Sequence, residues 1–184
     1  MPVRSKWQSL PTEAINPATL AIDKLPADEV IELMINEDRK MLAAVQREKA
    51  RIAMGADLIA AALRKGGRIV FVGAGTSGRL GVLDAAECPP TFGTPPEMVV
   101  GVITGGYPAL VKSVEGAEDD VNAAIGEMDA RRVGPDDVVV GIAASGTTPF
   151  VRAALSRAQT LGARTAIVTC SEPPKLLRET CDVC

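Results

Sequence analysis

The segment from Arg68 to Pro90 constrains the fold more than any other part of the chain. An apolar run of β type, Arg68-Ile-Val-Phe-Val72, leads straight into Gly73-Ala-Gly-Thr-Ser-Gly78. A helical stretch follows and ends in Glu87, Cys88 and the pair Pro89-Pro90. A strand, a glycine-rich turn and a helix N-terminus in immediate succession form the first half of a parallel βαβ unit. The same succession makes an anion site, because unpaired backbone N–H groups and the positive end of the helix dipole converge on one spot. Glycine lets the backbone approach a ligand closely, and Thr76 and Ser77 add hydroxyls. Glu87, one helix away, is expected to serve as an acid or base on that ligand, with Pro89-Pro90 stopping its helix.

The pattern then repeats. Strands are predicted over 68–72, 98–103, 138–144 and 164–170. Helices are predicted over 77–87, over 108–132 with a break near Gly116, and over 150–161. Gly134-Pro135-Asp136-Asp137 reads as a turn and Gly162 as a helix end. Hydrophobic residues make up 47% of the 184 residues and aromatics only 3%, so the core is aliphatic, as a buried parallel sheet requires. The fold class is therefore α/β: a doubly wound, flavodoxin-like three-layer αβα sheet with ligands at the carboxyl ends of its strands. Ahead of it come a Pro-punctuated extended arm to about residue 25, a helix from Pro26 to about Asn36, and a second from Glu37 to Arg64. Lys65-Gly66-Gly67 ends the second helix. The expected division is 1–65, arm and helices, and 66–184, the ligand-binding domain.

Several function classes are set aside. The net charge of -3 argues against nucleic acid as a partner. No apolar run reaches transmembrane length, so no membrane partner is expected. Residues 1–7 lack the apolar region of a signal peptide, and a cytoplasmic location follows as the expectation. With no histidine in the sequence, Ser-His-Asp and Cys-His catalysis and imidazole-ligated metals are excluded within this chain. The cysteines are Cys88, Cys170, Cys181 and Cys184. The single Cys181/Cys184 pair falls short of a four-ligand zinc site, so reduced thiols are expected and neither a metal nor a cofactor.

A second hydroxyl-rich loop, Ser145-Gly-Thr-Thr148, follows the third strand. Gly75, Thr76, Ser77, Gly78, Ser145, Gly146, Thr147 and Thr148 together read as a phosphate cradle. One such loop alone would more simply supply helix N-caps, since Ser and Thr are the usual caps; two equivalent loops in one sheet favour the cradle. The run Gly73-x-Gly75-x-x-Gly78 also fits a dinucleotide fingerprint. The next strand, however, ends Val-Ile-Thr-Gly-Gly106, without the acidic residue that would hold a ribose. A P-loop is excluded by the missing Gly-Lys-Ser/Thr ending. Catalytic candidates are Glu87 and the acidic run Val114-Glu-Gly-Ala-Glu-Asp-Asp120. Charge runs are more often solvated faces, and spacing does not choose among Glu115, Glu118 and Asp119. Arg79 is left open between contacting an anion and pairing with a carboxylate.

The whole stretch Gly73–Pro90 resembles the signature of bacterial N-acetylmuramic acid 6-phosphate etherases, members of the sugar isomerase (SIS) domain superfamily. The resemblance extends through Val114–Asp119, Val138–Pro149, Thr12–Pro17, Ile22-Asp23 and Asn36–Asp38. It implies a lyase that cleaves the D-lactyl ether at C3 of the sugar by elimination and water addition. Catalytic carboxylates are implied at Glu87 and Glu118, and burial is expected to tune them. The cradle residues would line the phosphosugar site. The resemblance also implies a homodimer with sites near the subunit interface, and a family chain that continues past the position of Cys184 with a further strand, ligand loop and helical domain. The alternatives from the same superfamily are a non-catalytic sugar-phosphate regulator and a phosphosugar isomerase. The acidic N-terminal segment (Glu29, Glu32, Glu37, Asp38) does not suit a DNA-binding helix.

Overall fold

The computed structural model describes residues 10–184; the reading of residues 1–7 lies outside them. The chain divides between Ala53 and Met54 into two compact units, within the second of the two long helices.

In the first unit, residues 10–25 are not an extended arm. They form three short 3-10 turns, Pro11–Glu13, Pro17–Thr19 and Ile22–Lys24, with the Asn16 side chain accepting from the Ala18 amide at 3.0 Å. Helix α1 spans Ala27–Arg47, with Pro26 as its N-cap in an extended conformation. The expected break at Asn36/Glu37 is absent. No glycine or proline stands there, and two i,i+3 pairs bridge the position: Arg39 to Asn36 at 2.6 Å and Lys40 to Glu37 at 2.5 Å. The break falls instead at Glu48, before α2 (Lys49–Arg64). No residue of α1 is buried. Ile31, Met34, Ile35, Leu42 and Val45 form an exposed apolar stripe at helical spacing.

The second unit holds a four-stranded sheet, β1 (Ile69–Gly73), β2 (Val99–Ile103), β3 (Val138–Ile142) and β4 (Arg164–Val168), in the order β2-β1-β3-β4. Every pairing is parallel. The period-two alternation of side chains separates two cores. Val70, Val72, Val139 and Ile167 pack with α5 (Val121–Ala130), α6 (Pro149–Thr160) and Leu177 of α7 (Lys175–Thr180). Ile69, Phe71, Val99, Val138 and Val140 pack with Leu58, Ile59 and Ala62 of α2 and with Ala85 and Cys88 of α3 (Gly75–Phe92). The last half of α2 thus belongs to the sheet unit. Helices cover both faces, as the doubly wound reading requires.

Pro89-Pro90 does not stop α3, which runs on to Phe92 and ends at Gly93, in the left-handed conformation at φ 66°. Each proline forgoes one N–H bond to the carbonyl four residues back, at Ala85 and Ala86, but its fixed φ suits a helix and α3 carries both losses. The terminator is glycine, whose N–H donates to the Pro89 carbonyl.

At the opposite end of the sheet from the ligand loops, Arg68 clamps the start of β3. Its Nε and a terminal nitrogen donate to the two Asp137 carboxylate oxygens at 3.1 and 2.7 Å. The outer edge of β4 carries the last residues: Ile167 N–H donates to the Val183 carbonyl at 3.0 Å and the Thr165 amide donates to Asp182 at 2.7 Å. Val183 pairs in parallel with Ala166, in the place of a fifth strand.

Candidate active site at the carboxyl ends of β1 and β3

β1 and β3 are neighbours, and their chains leave in opposite directions, β1 toward β2 through α3 and β3 toward β4 through α6. This is a topological switch point, where α/β sheets bind ligands. Gly73 and Ile142 are register partners at the strand ends, so the loops that follow, 74–78 and 143–148, stand side by side. All eight cradle residues read from the sequence lie on these two loops or the helix turns they open.

The N-cap explanation for the hydroxyls does not hold. The N-caps of α3 and α6 are Ala74 and Thr148, and neither side chain makes a capping bond. Thr76 and Ser77 stand inside the first turn of α3, exposed and half-buried respectively. In the second loop, Ser145 and Thr147 share a hydroxyl–hydroxyl bond of 2.7 Å, and the Thr147 amide donates to Ser145 Oγ at 3.3 Å. Gly146 is buried at φ +68°. The loop is locked from behind by the segment after β4, whose Cys170 amide donates to the Ala144 carbonyl at 2.8 Å.

Close approach of α3 to β1 depends on Gly73 and Gly78. A Cβ on Gly78 would lie 2.7 Å from the Gly73 carbonyl oxygen and 2.6 Å from Ile103 Cγ1. No side chain fits there, and the helix start is pressed onto the strand end as a result.

The acidic run resolves into separate roles. Asp120 caps α5, accepting from the Ala123 amide at 2.8 Å. Glu115 is exposed and accepts from Ser113 Oγ at 2.6 Å. Glu118 is half-buried in the 3-10 turn Ala117–Asp119. That turn is tied to the end of β2 by the buried Thr104, whose Oγ1 donates to the Ala117 carbonyl at 2.6 Å. Sequence reasoning passed over Thr104. Its signal was available: a hydroxyl immediately after a strand's carboxyl end, ahead of Gly105-Gly106. Among the described residues Arg79 pairs with no carboxylate; its Nε donates to the Leu110 carbonyl at 3.0 Å, tying α3 to the short helix α4 (Pro108–Val111).

Glu87 departs from expectation. It is exposed, so this chain alone does not bury it. It also stands about twelve residues down α3 from Gly75, which at 1.5 Å per residue is about 18 Å along the axis. The first turn of α3, which carries part of the cradle, and Glu87 thus stand toward opposite ends of that helix.

Cys181 and Cys184 pack against the core. Burial first, and the neighbouring Cys184 second, push the Cys181 thiol up to about 11. Among the described residues no group of three or more cysteines or carboxylates is placed to hold a metal ion. No described helix is long and apolar enough to cross a membrane. A cavity of about 400 Å³ lies between α6 and α7, lined by Arg152, Ser156, Leu176 and Thr180 among others.

Parallel sheet, switch point and paired hydroxyl loops define an α/β domain of the SIS class. Solved structures agree on the fold: phosphoheptose isomerases from Neisseria gonorrhoeae (TM-score 0.60, 19% identity, 77% of this chain and 73% of that one) and Francisella tularensis (TM-score 0.58, 18% identity, 79% and 75%). The chain belongs to the SIS-domain family described as the glucokinase regulatory protein N-terminal SIS domain, whose model matches residues 51–159. Its sequence relatives include N-acetylmuramic acid 6-phosphate etherases, as the motif resemblance led one to expect. It is 53% identical to that of Gloeobacter violaceus over 161 residues (88% of this chain, 53% of the relative). It is 50% identical to that of Serratia proteamaculans over 173 residues (93% and 58%), and 44% identical to that of Clostridium beijerinckii over 172 residues (94% and 57%). The chain spans little more than half the length of these relatives.

Proposed function

We propose that this chain carries the phosphosugar-binding part of a carbon–oxygen lyase that releases D-lactate from N-acetylmuramic acid 6-phosphate, in the cytoplasm and as a homodimer. The observation that carries the reading is the pair of hydroxyl loops at the switch point, in a sequence about half identical to proteins named for that reaction. The 6-phosphate takes the amides at the start of α3 and the hydroxyls of Thr76, Ser77, Ser145, Thr147 and Thr148. Opening the sugar exposes an aldehyde that acidifies the C2 proton. Glu118 assists removal of that proton. The C3–O bond breaks, and the departing lactyl oxygen takes a proton from Glu87. Lactate and an unsaturated aldehyde result; water then adds, hydroxyl to C3 and proton to C2, giving N-acetylglucosamine 6-phosphate. Phosphate binding energy holds the reacting carbons in place.

The distance along α3 gives the homodimer its role: Glu87 of one subunit serves the cradle of the other. Exposure of Glu87 beside Leu80 and Leu83 on α3 and the apolar stripe of α1 both suit contact with a second copy. The test is D-lactate release from N-acetylmuramic acid 6-phosphate, with binding of N-acetylglucosamine 6-phosphate measured on the same sample. Release supports the lyase. Binding without release favours the regulator, and isomerised product without lactate favours the isomerase.

A further inference from the structure

We propose that Thr104 is a positioning residue for Glu118. This inference rests on the reading of Glu118 as the second reacting carboxylate. Thr104 is 5% exposed and sits where β2 ends. Its amide donates to the Gly73 carbonyl at 3.1 Å, on the central strand β1. Its hydroxyl donates to the Ala117 carbonyl at 2.6 Å. One residue thus joins the end of β1 to the peptide unit immediately before Glu118. The Ala117 carbonyl and the Glu118 amide share that planar unit, so fixing the oxygen fixes the direction in which Glu118 leaves the turn.

The surrounding structure makes this bond matter. Between Thr104 and Ala117 the chain makes an outward excursion. It begins with Gly105 and Gly106 and ends with Gly116, all three at positive φ. Tyr107 and Val111 on it are 79% and 82% exposed. Among the described residues the other hydrogen bonds of the turn holding Glu118 are short-range, Asp119 N–H to the Gly116 carbonyl at 3.3 Å and Asp120 N–H to the Ala117 carbonyl at 3.1 Å, and the turn packs against α6. The Arg79–Leu110 tie acts seven residues away. A buried hydroxyl needs a partner, and this one takes it thirteen residues onward, at the position that aims a candidate catalytic group.

Thr104→Val keeps the shape and removes the donor; Thr104→Ser keeps the donor. A misplacement of about 1 Å costs about 100-fold in rate. Thr104→Val is therefore expected to lower kcat for lactate release by about 10- to 100-fold with KM changed less than about 3-fold, and Thr104→Ser to restore most of it. Thr104→Ala replaces the valine variant if that one does not fold. A kcat within about 2-fold of wild type in the valine variant, or no recovery with serine, overturns the inference. If the wild-type chain releases no lactate, the lyase reading is what fails. Amide exchange over residues 114–120 then decides on Thr104 alone. Faster exchange in Thr104→Val but not in Thr104→Ser upholds its hold on the turn, and equal exchange overturns it.

Discussion

Gly73 and Ile142 are register partners at the carboxyl ends of the two central strands, and each hands its chain to a loop of hydroxyls. Everything proposed for the site depends on that adjacency and on how tightly α3 begins against β1. Gly78→Ala puts a methyl 2.6 Å from Ile103 and 2.7 Å from the Gly73 carbonyl. It should cost about 1–3 kcal/mol and abolish sugar-phosphate binding. Thermal unfolding and calorimetric titration with N-acetylglucosamine 6-phosphate check both effects; normal binding would mean that the helix start is free to move.

The hydroxyls that do not cap their helices should be expendable for stability. Ser77→Ala and Thr148→Val are each expected to weaken sugar-phosphate binding by about 10-fold, the worth of one bond to a charged group. The melting temperature should stay close to wild type. A helix cap would instead cost about 1 kcal/mol of stability and leave binding alone, so the two measurements together separate the roles.

Arg68 and Asp137 form a largely buried pair, with side chains 29% and 7% exposed. Burial pushes the Asp137 carboxyl up, but hydrogen bonds from the Arg68 guanidinium and the Gly134 amide, with the Arg68 charge, outweigh it and hold it below the usual carboxylate range. A depressed folded value contributes stability that is fully present above the unfolded value of about 3.9 and is lost as pH falls through the folded one. Asp137→Asn should cost about 2–3 kcal/mol at pH 7. In urea unfolding the gap from wild type should narrow below about pH 4. A gap constant from pH 7 to pH 3 would contradict the assignment.

The β-α alternation, the aliphatic core and the two loops were legible in the sequence because each rests on local pattern: apolar runs, glycine turns and hydroxyls at strand ends. What was not legible depended on distance and packing. The prolines at 89 and 90 read as a stop, yet the helix continues until Gly93 reverses the backbone. The break expected at Asn36 is bridged by side-chain pairs that spacing alone does not reveal. Arg79 and Thr104 take the backbone carbonyls of Leu110 and Ala117 as partners, and sequence pattern does not say which carbonyl a side chain will reach. Reach is not legible either: Gly75 and Glu87 are close in sequence, but the helix between them sets the carboxylate about 18 Å away along its axis.

If Glu87 acts across a dimer, two inactive variants should complement each other. Glu87→Gln retains the cradle, and Gly78→Ala, which loses the cradle, retains the carboxylate. Mixed and allowed to exchange subunits, they should recover about a quarter of wild-type lactate release, since half the dimers then hold one intact site of two. No recovery despite demonstrated subunit exchange would place Glu87 and cradle on one chain.

Cys170 is exposed, while Cys181 is half-buried with its thiol pushed up to about 11. The thiolate is the reactive form, so at pH 8 Cys181 should alkylate with iodoacetamide at least about 10-fold more slowly than Cys170, read by peptide mass spectrometry. Equal rates would mean that the Cys181 end of the chain opens readily from the core.

The central claim is that a lyase uses Glu87 on a phosphosugar held by the two loops. The most direct measurement is D-lactate release from N-acetylmuramic acid 6-phosphate by wild type and Glu87→Gln, with N-acetylglucosamine 6-phosphate affinity measured on both. Wild type should release lactate, and the variant should lose at least about 100-fold in kcat with affinity within about 3-fold. Undiminished release by Glu87→Gln, or loss of binding in step with turnover, would contradict the claim.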